Sequence, residues 1–157
     1  MSQRGGSVIS SVRIADRQVA SDIIGTGTAD LLIGLEPLEA SRALAHLAAS
    51  GVVVAGVDPT RNIPDYPEVE QIVADLERLP GARVVESIKI AREAGSPRTA
   101  GTVLVGAASD LLPMEYRWLE EAIAMIFGDA RPSLLDANLK ALALGRGAIA
   151  VGSGAGR

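Results

Sequence analysis

Residues 52–57 read VVVAGV, and this run constrains the fold more than any other feature of the chain. Six consecutive apolar residues leave neither face of a strand for water, so such a strand belongs in a parallel sheet covered on both sides. Residues 31–35 (LLIGL) are a second run of the same kind. Between the two, Ala40, Ala43, Leu44, Leu47 and Ala48 recur at helical spacing. Glu36 and Pro37 open that helix, because proline suits a first helical turn, and Gly51 is expected to end it as a C′ glycine. Strand, helix and strand within so short a span predict a right-handed βαβ unit.

The rest of the chain extends the same alternation. Residues 8–14 (VISSVRI) alternate apolar and polar side chains, which predicts a strand, and residues 18–20 are expected to pair back as a short hairpin arm. The segment GTGTAD (25–30) reads as a turn. A loop with three prolines follows residue 57. Residues 68–79 then form an amphipathic helix with Val69, Ile72, Val73, Leu76 and Leu79 inward. Residues 83–87 are a strand and residues 88–94 a helix closed by Gly95. Three more helices are expected over 99–112, 115–127 and 133–144, the second burying Tyr116, Leu119, Ala122, Ile123 and Ile126. From residue 145 the sequence GRGAIAVGSGAGR is rich in glycine, so residues 146–157 are expected to be a flexible tail behind a single domain over 1–145.

Composition narrows the chemistry. The chain has 157 residues, no cysteine and one histidine, which excludes disulfides, thiolate nucleophiles and cysteine-ligated iron–sulfur clusters within it. A net charge of −4 and 3% aromatic residues argue against a nucleic-acid partner. Charges interrupt every apolar stretch before the length of a membrane span, and the start lacks the apolar centre of a signal peptide. The expectation is a soluble, cytoplasmic domain with no membrane partner and with more apolar surface than one small core hides.

No Ser/His/Asp set or nucleophile elbow is present, and His46 shares an expected outward helix face with Glu39 and Arg42, which suits a solvated residue. Residues 2–7 (SQRGGS) are different. There Arg4, Gly5, Gly6 and Ser7 combine a guanidinium with exposed backbone N–H groups, a chemistry suited to a carboxylate or phosphate. The same composition also suits a disordered start. Glu36 stands at the carboxyl end of an expected central strand, where open α/β sheets bind ligands, or it complements a helix N-terminus. Asp58 and Asn62 follow the next strand at the same crest and are equally compatible with turn chemistry. Tyr116 and Trp118 are expected in a core or an interface.

Several segments, taken in order, resemble one known family. MSQRGGSVISSVRI, ADLLIGLEPLEASRAL, SGVVVAGVDP, the Tyr66-Pro67 loop, IAREAGSPRTAGTVLVGAASDLLP and DANLKAL are similar to the gamma-type domain of 2-oxoacid:ferredoxin oxidoreductases, and most similar to the indolepyruvate-type beta subunits. The resemblance implies an α/β fold with a doubly wound, mostly parallel, three-layer sheet of Rossmann or flavodoxin type. It implies a subunit that is not catalytic alone, in an enzyme converting 2-oxoacids and coenzyme A to acyl-CoA and carbon dioxide with ferredoxin as acceptor. Thiamine diphosphate and iron–sulfur clusters are then expected on partner chains, with a thiamine-binding alpha-type subunit as the main partner. Arg4, Gly5, Gly6, Ser7 and Glu36 are the residues expected near the substrate or coenzyme A anion. The resemblance also implies an opening βα unit ahead of the RGG segment, and this sequence is expected to lack it. A structural or vestigial interaction module is the alternative, and in either case a homo-oligomer or heteromer is expected, because open strand edges and apolar surface favour association.

Overall fold

The computed structural model describes residues 8–61, 64–128 and 131–152. Among these, three parallel strands form one sheet in the order β1 (Ala29–Gly34), β2 (Leu47–Gly56), β3 (Arg83–Val85). The pleat sends successive residues to opposite faces. Leu31, Ile33, Val54 and Val85 therefore point to one apolar cluster, and Leu32, Val53, Ala55 and Val84 to another. Helices α1 (Pro37–Ala43) and α2 (Val69–Glu77), which carry the chain from strand to strand, cover the second face with Ala40, Ile72 and Leu76. Helices α3 (Ser87–Ala94), α4 (Ala100–Ala108) and α6 (Pro132–Gly152) cover the first with Ala91, Val103, Leu104, Ala107 and Ala141. The result is the expected three-layer α/β arrangement, with the both-faced apolar strand β2 in the middle: Val53, Val54 and Ala55 are fully buried.

Helix α4 crosses α6 at glycines. A Cβ on Gly106 would lie 2.2 Å from the Leu142 carbonyl oxygen, and one on Gly145 only 2.0 Å from that of Val103. Two backbones can approach this closely only where no side chain intervenes. Thr102 donates to Asn138 Oδ1 (2.6 Å) across the same contact, and Asn138 Nδ2 in turn donates to the Leu134 carbonyl (2.8 Å). Arg83 ties β3 to the end of α4 through the Ala107 carbonyl (2.7 Å) and a two-pronged pair with Asp110.

Several expectations need correction. The helix after Pro37 ends at Ala43, passes through a single 3-10 turn (Leu44–His46), and becomes strand from Leu47. Gly51 is accordingly not a helix cap but a strand residue, where a Cβ would meet the Ala29 carbonyl at 2.6 Å. The apolar spacing of Leu44, Leu47 and Ala48 fits a helix and a strand end equally, and pairing with β1 decides it. Residues 8–14 join no ladder, and Val8, Ile9 and Val12 stand exposed. The hairpin arm at 18–20 is likewise unpaired; Arg13 instead donates to the Ser21 carbonyl (2.8 Å). On α5 (Tyr116–Phe127), Ile123 is buried, but Ala122 and Ile126 face outward with Trp118 and Met125. Of the tail expected over 146–157, residues 146–152 continue helix α6 instead, Arg146 lying 4.3 Å above the Tyr116 ring, and residues 153–157 lie outside the described residues. The remaining elements fall where the sequence places them, including Gly95, whose φ of 117° ends α3.

Candidate functional site

The carboxyl ends of the three strands form one crest, and two carboxylates bind it together. Glu36 follows β1 and caps α1: its Oε2 accepts from the Glu39 N–H at 2.8 Å. A carboxylate here meets orphan amide hydrogens and the positive end of the helix. Its other oxygen accepts from the Thr60 N–H (3.4 Å) and from the Tyr66 hydroxyl. One side chain thus draws the proline-rich loop after β2 down onto the start of α1. Burial, then the hydrogen bond and negative charge of Glu36, push the Tyr66 phenol up to about 12. The phenol is therefore a neutral donor throughout the physiological range. Asp58 plays the matching part for β2, its Oδ2 accepting from the Ile88 N–H (3.3 Å) in the first turn of α3. Gly56 keeps the crest narrow, because a Cβ there would press on the Leu35 carbonyl and Ser87 Oγ, each at 2.9 Å.

Beside the crest, a groove of about 420 Å³ runs along the outer edge of β1. Val8, Ile9, Leu31 and Ile33 make its apolar wall, and Glu36, Glu39, Arg42 and His46 lie along its polar rim. His46 is half-buried in the 3-10 turn rather than solvated on a helix face. Arg42 donates to Glu39 (2.7 Å) on the same rim.

Of the expected site residues, Arg4, Gly5, Gly6 and Ser7 lie outside the described residues, as does Asn62. Glu36 is placed at the crest as expected, with its oxygens occupied by donors of this chain. The sequence reading missed the role of Tyr66 and Thr60. The available signal was a single tyrosine within a loop of three prolines, but its partner lies 30 residues away. GTGTAD forms the expected turn, with Gly27 at a φ of 71°. No group of three His, Asp or Glu side chains converges among the described residues.

Comparison with known proteins gives this geometry a family. The chain is 35% identical over 154 residues to the indolepyruvate oxidoreductase subunit IorB of Archaeoglobus fulgidus, a match covering 92% of this chain and 74% of the relative. The IorB subunit of Methanothermobacter thermautotrophicus is 36% identical over 160 residues, covering 96% and 79%. That of Pyrococcus horikoshii is 32% identical over 155 residues, covering 92% and 75%. Among solved structures, the fold resembles part of a 2-oxoglutarate:ferredoxin oxidoreductase from Magnetococcus marinus, with a TM-score of 0.57 and 19% identity. That likeness covers 80% of this chain but only 20% of the solved one. The pyruvate ferredoxin/flavodoxin oxidoreductase family profile matches residues 1–148, and the chain belongs to that family.

Proposed function

We propose that this chain is a subunit of a thiamine-dependent 2-oxoacid:ferredoxin oxidoreductase acting on arylpyruvates of the indolepyruvate type. The enzyme joins the 2-oxoacid to coenzyme A as acyl-CoA, releases carbon dioxide, and passes the electrons to ferredoxin. The observation that carries this reading is the family match across residues 1–148, joined to relatives named indolepyruvate oxidoreductase subunits at 30–36% identity. The solved neighbour holds 2-oxoglutarate, coenzyme A and succinyl-CoA, in keeping with that chemistry.

A chain without cysteine supplies no thiolate to an iron–sulfur cluster, so the clusters reside on partner chains, together with thiamine diphosphate on an alpha-type subunit. This chain's share is positioning. Arg4 offers a forked guanidinium, and Gly5, Gly6 and Ser7 offer backbone N–H groups, to a substrate carboxylate or a coenzyme A phosphate. Glu36 does not meet the anion itself, since like charges repel; it holds the loop carrying Thr60 and Tyr66 against α1. The assembly works in the cytoplasm, and no helix among the described residues is long and apolar enough to cross a membrane.

The test is co-purification followed by assay. Tagged chain is expected to bring down a thiamine-binding partner. The pair, and not this chain alone, is expected to oxidise arylpyruvate with coenzyme A and reduce ferredoxin. Arg4→Ala is expected to raise the KM for the 2-oxoacid or coenzyme A about tenfold, the cost of losing one charge-assisted pair. Absence of both a partner and an activity overturns the reading. A second reading, an interaction module without activity, draws on the exposed Val8, Ile9, Val12 and Ile14. It is favoured if the partner binds but turns over equally well without this chain.

A further inference from the structure

We propose that the outward face of α5 docks an amphipathic helix of a partner protein, one whose apolar stripe is bordered by lysine or arginine. The surface follows from α5 alone, whatever reaction the chain serves. Helix α5 is apolar on two sides. Tyr116, Leu119, Ile123 and Phe127 are its covered side, buried or half-buried. Trp118, Ala122, Met125 and Ile126 recur at i, i+4, i+7 and i+8 and form a second stripe, in which Met125 and Ile126 are 87% and 71% exposed. A surface helix needs one apolar face for its own core, and a contiguous second one marks a place where another molecule sits.

The stripe has the make-up of an anchor. Trp118 is the single tryptophan of a chain that is 3% aromatic, and tryptophan and methionine are enriched where proteins meet. Ala122 stands one turn from Trp118 and one turn from Ile126, and it is exposed. The smallest side chain between larger ones leaves a notch, into which a large apolar residue of a second helix fits as a ridge enters a groove. Spacing of i, i+4 and i+7 is the pattern by which one helix reads another.

Charge decides what kind of helix. Glu121 borders the stripe along its solvent side, Glu120 lies next to it, and Glu115 stands at the N-terminal end, all three exposed. Arg117 is the one cation of α5, and Glu115 already holds it at 2.9 Å. Among the described residues no salt bridge reaches Glu120 or Glu121. The border is therefore negative without compensation, on a chain whose net charge is −4. Lysine or arginine beside the incoming stripe answers it, and complementary rim charges of this kind select the partner. A second copy brings the same acidic border, and like charges set against each other are disfavoured.

The probe is a helical peptide of about 18 residues, with leucine repeating every three and four positions and lysine on both sides of that stripe. Its control has glutamate in place of every lysine. The readout is acrylamide quenching of Trp118, which lies within the surface itself. The lysine peptide is expected to shield Trp118 and to bind about tenfold tighter than the glutamate peptide, a difference that shrinks in about 1 M salt. Glu121→Lys, at an exposed position that leaves the core untouched, is expected to reverse the order of the two peptides. Met125→Ser is expected to weaken the lysine peptide about tenfold. Equal binding of both peptides overturns the proposal, because apolar adhesion then suffices. An unchanged order in Glu121→Lys overturns it too, since the peptide then sits elsewhere. So does shielding of Trp118 before any peptide is added, in these 157 residues or in any longer form of the chain. A segment of the same chain is then the cover if the protein is a monomer, and a second copy if it is a dimer.

Discussion

The Glu36 carboxylate joins three parts of the chain: the α1 N-terminus through Glu39, the loop backbone through Thr60, and the loop side chain Tyr66. Glu36→Ala is expected to cost about 1–3 kcal/mol, combining a lost cap with stranded donors. Tyr66→Phe is expected to cost about 1 kcal/mol. Because the two changes remove the same bond, the double variant is expected to fall short of the sum, as urea unfolding would show. The raised Tyr66 pKa adds a pH signature. The folded value, about 12, exceeds the ordinary 10.0, so the contribution is complete below pH 10 and is lost as pH rises toward 12. Wild-type stability is expected to fall more steeply than that of Tyr66→Phe across that window. Burial also raises the other tyrosine, Tyr116. Absorbance titration of the native chain is therefore expected to show no phenol ionising at its ordinary value; a normal transition near pH 10 contradicts this placement.

At the scale of elements, the α4–α6 crossing depends on absent side chains. Gly145→Ala drives a Cβ into the Val103 carbonyl, and its overpacking is expected to cost about 1–3 kcal/mol despite alanine's better helix propensity. Gly147→Ala, in the same helix with nothing within 4 Å, is expected to stabilise by about 0.5–1 kcal/mol. Opposite signs two residues apart, read as melting temperatures, test the packing and not merely the helix. Both glycines fall in the stretch whose composition reads as a tail. Glycine content alone does not distinguish a flexible end from a helix that needs bare backbone at a crossing. The tie from β3 to α4 has its own pH dependence. The hydrogen bond from Arg83 holds the Asp110 carboxyl below its ordinary range. Its contribution is thus present above the unfolded value and lost as acid protonates the carboxylate. Arg83→Met is expected to flatten the acid limb of the stability profile.

At the scale of the whole molecule, exposed apolar side chains among the described residues gather chiefly at two places, with Val19, Ile23 and Leu35 standing apart. One is the run Val8, Ile9, Val12 and Ile14 beside the open edge of β1; the other is Trp118, Met125 and Ile126 on α5. Trp118 is 49% exposed and is the single tryptophan of the chain. Its fluorescence in the isolated chain is expected to be readily quenched by acrylamide, and to become protected if a partner covers α5. Strong protection in a monodisperse monomer would contradict the exposed placement.

The alternation of strands and helices, the buried β2, the Pro37 helix start and the Gly95 stop were legible in the sequence, because each rests on periodicity or on one residue's backbone preference. The same local signals could not place residues 8–14, whose strand pattern finds no ladder. Nor could they orient α5, whose apolar residues exceed what one neighbouring helix covers. The union of Glu36 with Thr60 and Tyr66, 24 and 30 residues distant, lay equally beyond them. Local sequence determines which way a segment of backbone prefers to run. Which edges are paired, which faces are covered and which distant donors meet one carboxylate depend on contacts between segments, and only the tertiary structure decides those.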